Sequence, residues 1–176
     1  MLNFRGCLSL VLGVGVPCVA QAQVKPARQT FVPACDLQAL NREYIAALNR
    51  LRHQLNPLAP EVKFDPVLFV GTVLHTADME AKDSLFHAYV FRYSAEMVSG
   101  KRSIQTREAK KLALFALKQF ENSEPHCQIQ EIIKYTWVAV AASNGYLCIR
   151  LSDEPMKAER GEQAAFAKLG GKLAVE

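Results

Sequence analysis

Four histidines, His53, His75, His87 and His126, are the side chains of this sequence best suited to move protons or ligate a metal near neutral pH. Beside His126 stand Ser123 and Cys127, a hydroxyl and a thiol that would become nucleophiles only next to a base held in place. Neither lies in a G-x-S-x-G turn, and no H-E-x-x-H pair is present, so the chain carries no local hydrolase signature. Cys127 next to an imidazole would be an activated thiol, with a disulfide to Cys148 or Cys35 as the competing expectation. His75 falls on a helical stretch, where a lone imidazole is expected to be packed or solvated rather than a ligand. His53 follows Arg52 on what reads as a polar face and is expected to be solvated. Trp137 reads as a core residue of a strand ahead of a sugar platform. Lys110 and Lys111, with Lys101, Arg102 and Arg107 upstream, make either a solvated helix face or a modest basic rim able to meet anionic lipid or polysaccharide.

The elements that must position these groups follow from periodicity. Asp36 can cap a helix in which Leu37, Leu40, Tyr44, Leu48, Leu51 and Leu55 share one stripe, ending before Pro57. Asp65-Pro66 starts a second helix to about Lys82, expected to bury Leu68, Leu74 and Met79 or their neighbours. Asp83 to Gly100, with Phe86, Tyr89, Phe91 and Tyr93, has no clean period and reads as irregular with a short strand or helical turn. Thr106 can cap a third helix through about Glu121, with Leu112, Phe115, Ala116 and Phe120 on one face. Lys134 to Ala142 is then rich in β-branched and aromatic residues, Asn144-Gly145 is a strong hairpin signal, and Tyr146 to Leu151 returns as the partner strand. After Pro155 the sequence is charged and then rich in Ala and Gly, as expected for a loose helix or disordered tail over 153–176. Helices first and a hairpin last predict an α+β fold, an α-β-α sandwich with helices on a small antiparallel sheet.

Composition agrees with one globular domain. Of 176 residues 50% are hydrophobic and 22% charged, far from disordered, collagen-like or polytopic membrane chains. The formal net charge of +4 comes without a dense basic run, so nucleic acid is not an expected partner. Met1 to Ala22 reads as a secretory signal: Arg5, then an apolar run from Cys7 to Val19 too short for a stable transmembrane anchor, then Ala20-Gln21-Ala22 for cleavage. A secreted, periplasmic or extracellular protein is expected. Residues 23–35 form an extended leader and 36–152 the folded domain. Cleavage would leave Cys35, Cys127 and Cys148, which allow one disulfide in three pairings. No CxxC or zinc-ribbon spacing is present.

A further set of short motifs carries a resemblance. Leu48-Asn49-Arg50-Leu51-Arg52 before Pro57-Leu58, Phe64-Asp65-Pro66-Val67-Leu68, His75-Thr76-Ala77-Asp78-Met79, His87, Ala95-Glu96-Met97-Val98, Ser123-Glu124-Pro125-His126 and Tyr135-Thr136-Trp137-Val138-Ala139-Val140-Ala141 follow one another in an order similar to a bacterial CAP domain. That family comprises cysteine-rich secretory proteins, antigen 5 and pathogenesis-related proteins, and the SCP-like domains. Residues 37–151 take part. The chain departs from the family at Ala95-Glu96-Met97, where Gly-Glu-Asn is common, at Ser123-Glu124-Pro125-His126, and at Ala139 and Ala141, where glycines flank the strand valine. The resemblance implies a cleft holding His87, Glu96 and His126, with Ser123 in the place of a second acid. Two imidazoles and a carboxylate suit a divalent metal such as zinc, though none is required, and equally suit a hydrogen-bonded structural cluster. The implied function is a secreted, non-catalytic module binding lipid, an envelope polymer or a protein. The alternatives are a metal-assisted hydrolase using His87, Glu96 and His126, and a structural envelope accessory protein with a vestigial cleft.

Overall fold

The computed structural model describes residues 31–88, 94–100, 104, 106–158 and 160–170. The signal segment, most of the leader, Tyr89, Phe91, Tyr93, Lys101, Arg102 and the end of the tail lie outside them. In chain order the elements are α1 (Leu37–Leu55), β1 (Lys63–Phe64), α2 (Pro66–Lys82), β2 (Ser94–Ser99), α3 (Ala109–Glu121), α4 (Glu124–Glu131), β3 (Trp137–Ala142), β4 (Leu147–Ser152) and α5 (Arg160–Lys168). The strands form one sheet in the order β1-β3-β4-β2. β3, β4 and β2 are antiparallel, whereas β1 runs parallel to β3, so the sheet is mixed rather than purely antiparallel.

Alternation along the strands sorts side chains onto two faces. Met97, Val138, Val140, Leu147, Ile149 and Leu151 face a core built with Leu40, Tyr44 and Leu48 of α1 and Leu112, Ala116 and Phe120 of α3. The opposite face meets α2 and α5: Val70, Val73, Ala141 and Phe166 form one cluster, and Met79, Val98, Tyr146 and Cys148 another. Two helical layers thus enclose the sheet, as the α-β-α sandwich requires. Ala139 and Ala141 are fully buried, and their small side chains let α2 approach the sheet.

Helix ends form where their caps predict. Asp36 accepts from the Gln38 and Ala39 amides, and Asp65 from Val67 and Leu68, with Pro66 in the first turn. α3 starts later than expected, at Ala109, because Thr106 Oγ1 accepts from the Glu108 amide instead of capping the helix. α4 was not anticipated.

The hairpin forms, but neither Asn144 nor Gly145 has the positive φ usual for a two-residue turn. Ser143 Oγ instead accepts from the Gly145 and Tyr146 amides, and the Ser143 amide donates to the Tyr146 carbonyl.

β1 is too short to cover β3. Its Lys63 and the following Asp65 donate to the Thr136 and Val138 carbonyls, which leaves Val140 without a strand partner on that side. Asn41 of α1 fills the gap: its Nδ2 donates to the Val140 carbonyl at 2.8 Å and its Oδ1 accepts from the Val140 amide at 2.7 Å. One buried amide side chain therefore replaces a strand residue.

Arg52 corrects the expectation of a polar face. It is 1% exposed, donating from Nε to the Gln130 carbonyl at 2.7 Å and from Nη1 to the Tyr135 carbonyl at 2.6 Å. It closes the C-terminal end of α4, and burial brings its pKa down to about 10. His53, next to it, is half-buried and bonded to the Ala59 carbonyl at 2.9 Å.

Candidate functional site

Glu96 sits near the middle of edge strand β2, on the face turned toward α2, with its side chain 0% exposed. Register places Arg150 of β4 directly opposite, and a cross-strand pair on one face brings the two side chains together. Arg150 Nε donates to Glu96 Oε2 at 2.8 Å. Oε1 accepts from the Ala88 amide at 2.9 Å and from His87 Nδ1 at 3.2 Å, and His75 Nε2 stands 3.6 Å away. The Cys148 thiol lies 3.9 Å from Oε2. A carboxylate in that setting is held by charge-assisted bonds from all sides.

His75, which opens one of the motifs, and Arg150 are neighbours of Glu96 that were not among the implied cleft residues. His75 Nε2 donates to the Phe86 carbonyl at 3.0 Å, and its ring stands edge-on to the Phe86 ring at 5.2 Å. It thereby fastens the stretch leading to His87 onto α2. Burial pushes the His75 pKa down, Glu96 opposes that, and the Arg150 charge adds to it. A signal was available for His75, since it lies one helical turn from buried Met79. For Arg150 there was none without the strand register.

His87 is the exposed member, with 57% of its side chain open to solvent. Because a carboxylate only accepts, Nδ1 carries the proton of this bond, which leaves Nε2 as the ring nitrogen not engaged by Glu96. His126, on α4, shares a hydrogen bond between Nδ1 and Ser123 Oγ at 2.8 Å and rests against the Phe120 ring at 5.0 Å. Burial lowers its pKa first, and the charge of His87 lowers it further. The structure therefore joins His87 to Glu96 and brings His126, with Ser123, within electrostatic reach of His87. No hydrogen bond or ion pair among the described residues joins His126 to Glu96.

The donor set bears on a metal. Among the described residues no group of three or more His, Cys, Asp and Glu is arranged to hold one. Both oxygens of Glu96 are engaged by Arg150, Ala88 and His87, so the carboxylate does not fit as a direct ligand. It fits as the partner that orients His87.

The other candidates are dispersed. Cys35, Cys127 and Cys148 are free thiols. Cys148 faces α2, Cys35 packs against the core on the opposite face of the sheet, and Cys127 points its thiol at Glu131 at 3.1 Å. Burial raises the Cys148 thiol, and the hydrogen bond to Glu131 raises that of Cys127, so neither is activated. Trp137 is half-buried at the start of β3 with Lys63 Nζ 6.0 Å from its ring centre. Lys111 pairs with Glu108 at 2.7 Å on the surface of α3.

No family model and no curated protein matches the sequence. Among solved structures, an extracellular protein containing an SCP domain from Bacillus anthracis is similar at TM-score 0.51 and 16% identity, over 64% of this chain and 40% of that one. The chain thus spans about two fifths of that protein's length. An outer surface protein from Borrelia burgdorferi is similar at TM-score 0.50 and 10% identity, over 65% of this chain and 92% of that one. A cysteine-rich secretory protein from Staphylococcus aureus aligns at TM-score 0.42 and 11% identity, over 66% of this chain and 38% of that one. Likeness at such identities is one of fold: the chain has a divergent CAP-like fold. No helix among the described residues is long and apolar enough to cross a membrane.

Proposed function

We propose that the chain is an exported CAP-like binding module, non-catalytic, that takes its ligand against the exposed edge of His87 with His126 and Ser123 alongside. Residues 1–22 are the removed signal, 36–152 the CAP-like domain and 153–176 an appended tail, and the protein works in the periplasm or outside the cell. A disulfide among Cys35, Cys127 and Cys148 would accompany export and belongs to the same proposal. The ligand class is lipid, an envelope polymer or a protein.

One contrast carries this reading: Glu96 is 0% exposed with both oxygens bonded inside the protein, while the His87 it orients is 57% exposed. A sealed carboxylate does not reach a substrate's proton, and the two nucleophile candidates are not placed on the open imidazole: Ser123 bonds to His126 and Cys127 to Glu131. An oriented, half-open imidazole within electrostatic reach of a second one is suited to recognition. The test is co-sedimentation of the purified protein with phosphatidylglycerol vesicles and with peptidoglycan, alongside assays on peptide, ester and glycoside substrates. Binding to one of the two that is lost in His87→Ala, without turnover, is the expected result. Metal-dependent cleavage abolished by His87→Ala would overturn it.

A second reading rests on the His87 tautomer. With Nδ1–H on Glu96, the Nε2 lone pair is the one a divalent metal such as zinc would use, and His126 is the neighbouring imidazole. Bound there, a metal would supply Lewis acidity, which the metal-assisted hydrolase reading requires. Zinc retained through dialysis and lost in a His87→Ala, His126→Ala double variant would favour this reading.

A further inference from the structure

α3 is apolar on two sides. Its inner side lies in the core, with Leu112, Ala113, Ala116, Leu117 and Phe120 all buried in the cluster that α1 and the sheet complete. Leu114 and Phe115 fall on the outer side, 44% and 38% exposed. Phe115, expected beside Leu112 on the core face, is therefore turned outward. At 3.6 residues per turn, Lys110, Lys111, Leu114, Phe115 and Lys118 make one outward strip, and all five are exposed.

The charges around this apolar pair are mainly positive. Four cations, Arg107, Lys110, Lys111 and Lys118, stand against two acids, Glu108 and Glu121. Glu108 is taken up by Lys111 at 2.7 Å, and no ion pair among the described residues engages Lys110 or Lys118. Arg107, in the turn before the helix, is exposed and donates to the neutral Asn144 Oδ1 at 3.3 Å. A soluble polyanion would use the cations and gain nothing from Leu114 and Phe115, whereas a wholly apolar partner surface would gain nothing from the cations. An anionic bilayer uses both, since headgroup phosphates meet ammoniums on long stems and apolar tips reach the acyl boundary.

We propose that the outer strip of α3 docks the protein on an anionic lipid surface of the phosphatidylglycerol type. Leu114 and Phe115 enter the headgroup region, and Arg107, Lys110 and Lys118 lie on the phosphates. The strip belongs to the layer that packs with α1, whereas His75 and Glu96 meet on the α2 side of the sheet. Docking through α3 is thus a second contact, separate from the cleft, and it does not rest on the reading of His87.

The experiment is co-sedimentation of the purified protein with phosphatidylglycerol vesicles and with phosphatidylcholine vesicles, at low and high salt. The native chain is expected to sediment with the anionic vesicles, and less so at high salt. Near such a surface one cation is worth about fivefold in partition, so Lys110→Gln with Lys118→Gln should weaken it roughly 25-fold. Leu114→Gln with Phe115→Gln should weaken it about tenfold. Both pairs are on the surface, so thermal unfolding should stay in place and the loss reads binding alone. His87→Ala should sediment with the vesicles as the native chain does, peptidoglycan then being the ligand that this variant loses. Vesicle binding lost in His87→Ala and kept in both α3 variants would overturn the docking face and give the lipid to the cleft. Loss in the lysine variant with none in the Leu114 and Phe115 variant would overturn it too, because the strip would then serve a soluble polyanion. So would a native chain that stays in solution, or a dimer that the Leu114 and Phe115 variant dissociates, the face then being covered by a second copy. If vesicle binding follows α3 while peptidoglycan binding survives in His87→Ala, the docking face stands and the ligand reading of His87 falls.

Discussion

Removing Arg150 should harm the protein more than neutralising Glu96, although the two form one ion pair. The reason is their unequal access to water. Glu96 is 0% exposed and Arg150 16%, so Arg150→Met strands a sealed carboxylate, whereas Glu96→Gln strands a guanidinium that water can reach. Breaking a buried pair from the sealed side costs about 3 to 4 kcal/mol, near the lower end of the usual range because the Ala88 amide and His87 still contact Oε1. Glu96→Gln keeps an acceptor for one donor and should cost about 1 to 2 kcal/mol. For a chain of this size the larger loss corresponds to a fall in Tm of roughly 10 °C.

The double variant gives a sharper test by sign. In the Arg150→Met background, Glu96→Gln replaces a stranded charge with a neutral amide and should raise stability, opposite to its effect in the native background. Urea unfolding of the four proteins at pH 7, followed by circular dichroism, measures each step. Additive losses, with the double variant less stable than Arg150→Met, would refute the argument that burial of Glu96 sets the energetics of this site.

Acid should destabilise the fold through its buried imidazoles. Burial first, with the Arg150 charge adding and Glu96 opposing, lowers the His75 pKa in the folded chain, while the unfolded chain titrates near 6.5. The unfolded state therefore binds more protons below that pH, so the contribution of His75 is complete above about 6.5 and is lost as the pH falls toward the folded value. Tm should drop between pH 7 and pH 5, and His75→Gln, whose amide can still donate to the Phe86 carbonyl, should flatten the profile. Asn41→Ala should lower stability by about 3 kcal/mol, because it leaves the amide and carbonyl of Val140 without partners in the core. Ligand binding by the native fraction should be unchanged, as Asn41 bonds to β3 and α1 and makes no contact with His87.

What was legible in the sequence was whatever one element determines alone. The stripe of α1 lies buried at Leu40, Tyr44 and Leu48, although Leu55 runs past the core into solvent, and Phe115 of α3 is likewise exposed. The hairpin strands were placed by their β-branched runs, but the turn between them depends on Ser143, a hydroxyl hidden beside a stronger dipeptide signal. α4 has eight residues and one buried side chain, Gln130, too little for a periodic pattern. β1 has two residues and exists because β3 offers it a parallel edge. Arg52 was misplaced for a connected reason. A guanidinium enters a core only where carbonyls await it, and those of Gln130 and Tyr135 belong to a helix end that the sequence did not reveal.

The same distinction between one element and several separates the parts of the site. His87, Glu96, His126 and Ser123 stand in short motifs, each readable where it occurs. The groups that give them geometry were not marked as cleft residues: His75, although it opens a short motif, reads locally as a packed helical imidazole, and Arg150 comes from a strand residue more than fifty positions after Glu96. A sealed carboxylate between them requires that α2, β2 and β4 all be in place, so the orientation of His87 is a property of the assembled fold. Strength of binding at His87 should therefore follow the stability of the α2 and α5 face more closely than that of the α1 and α3 core. Arg150→Met, which acts on the face of His87, should weaken binding even per folded molecule, whereas Asn41→Ala should lower global stability and leave binding by the folded fraction unchanged.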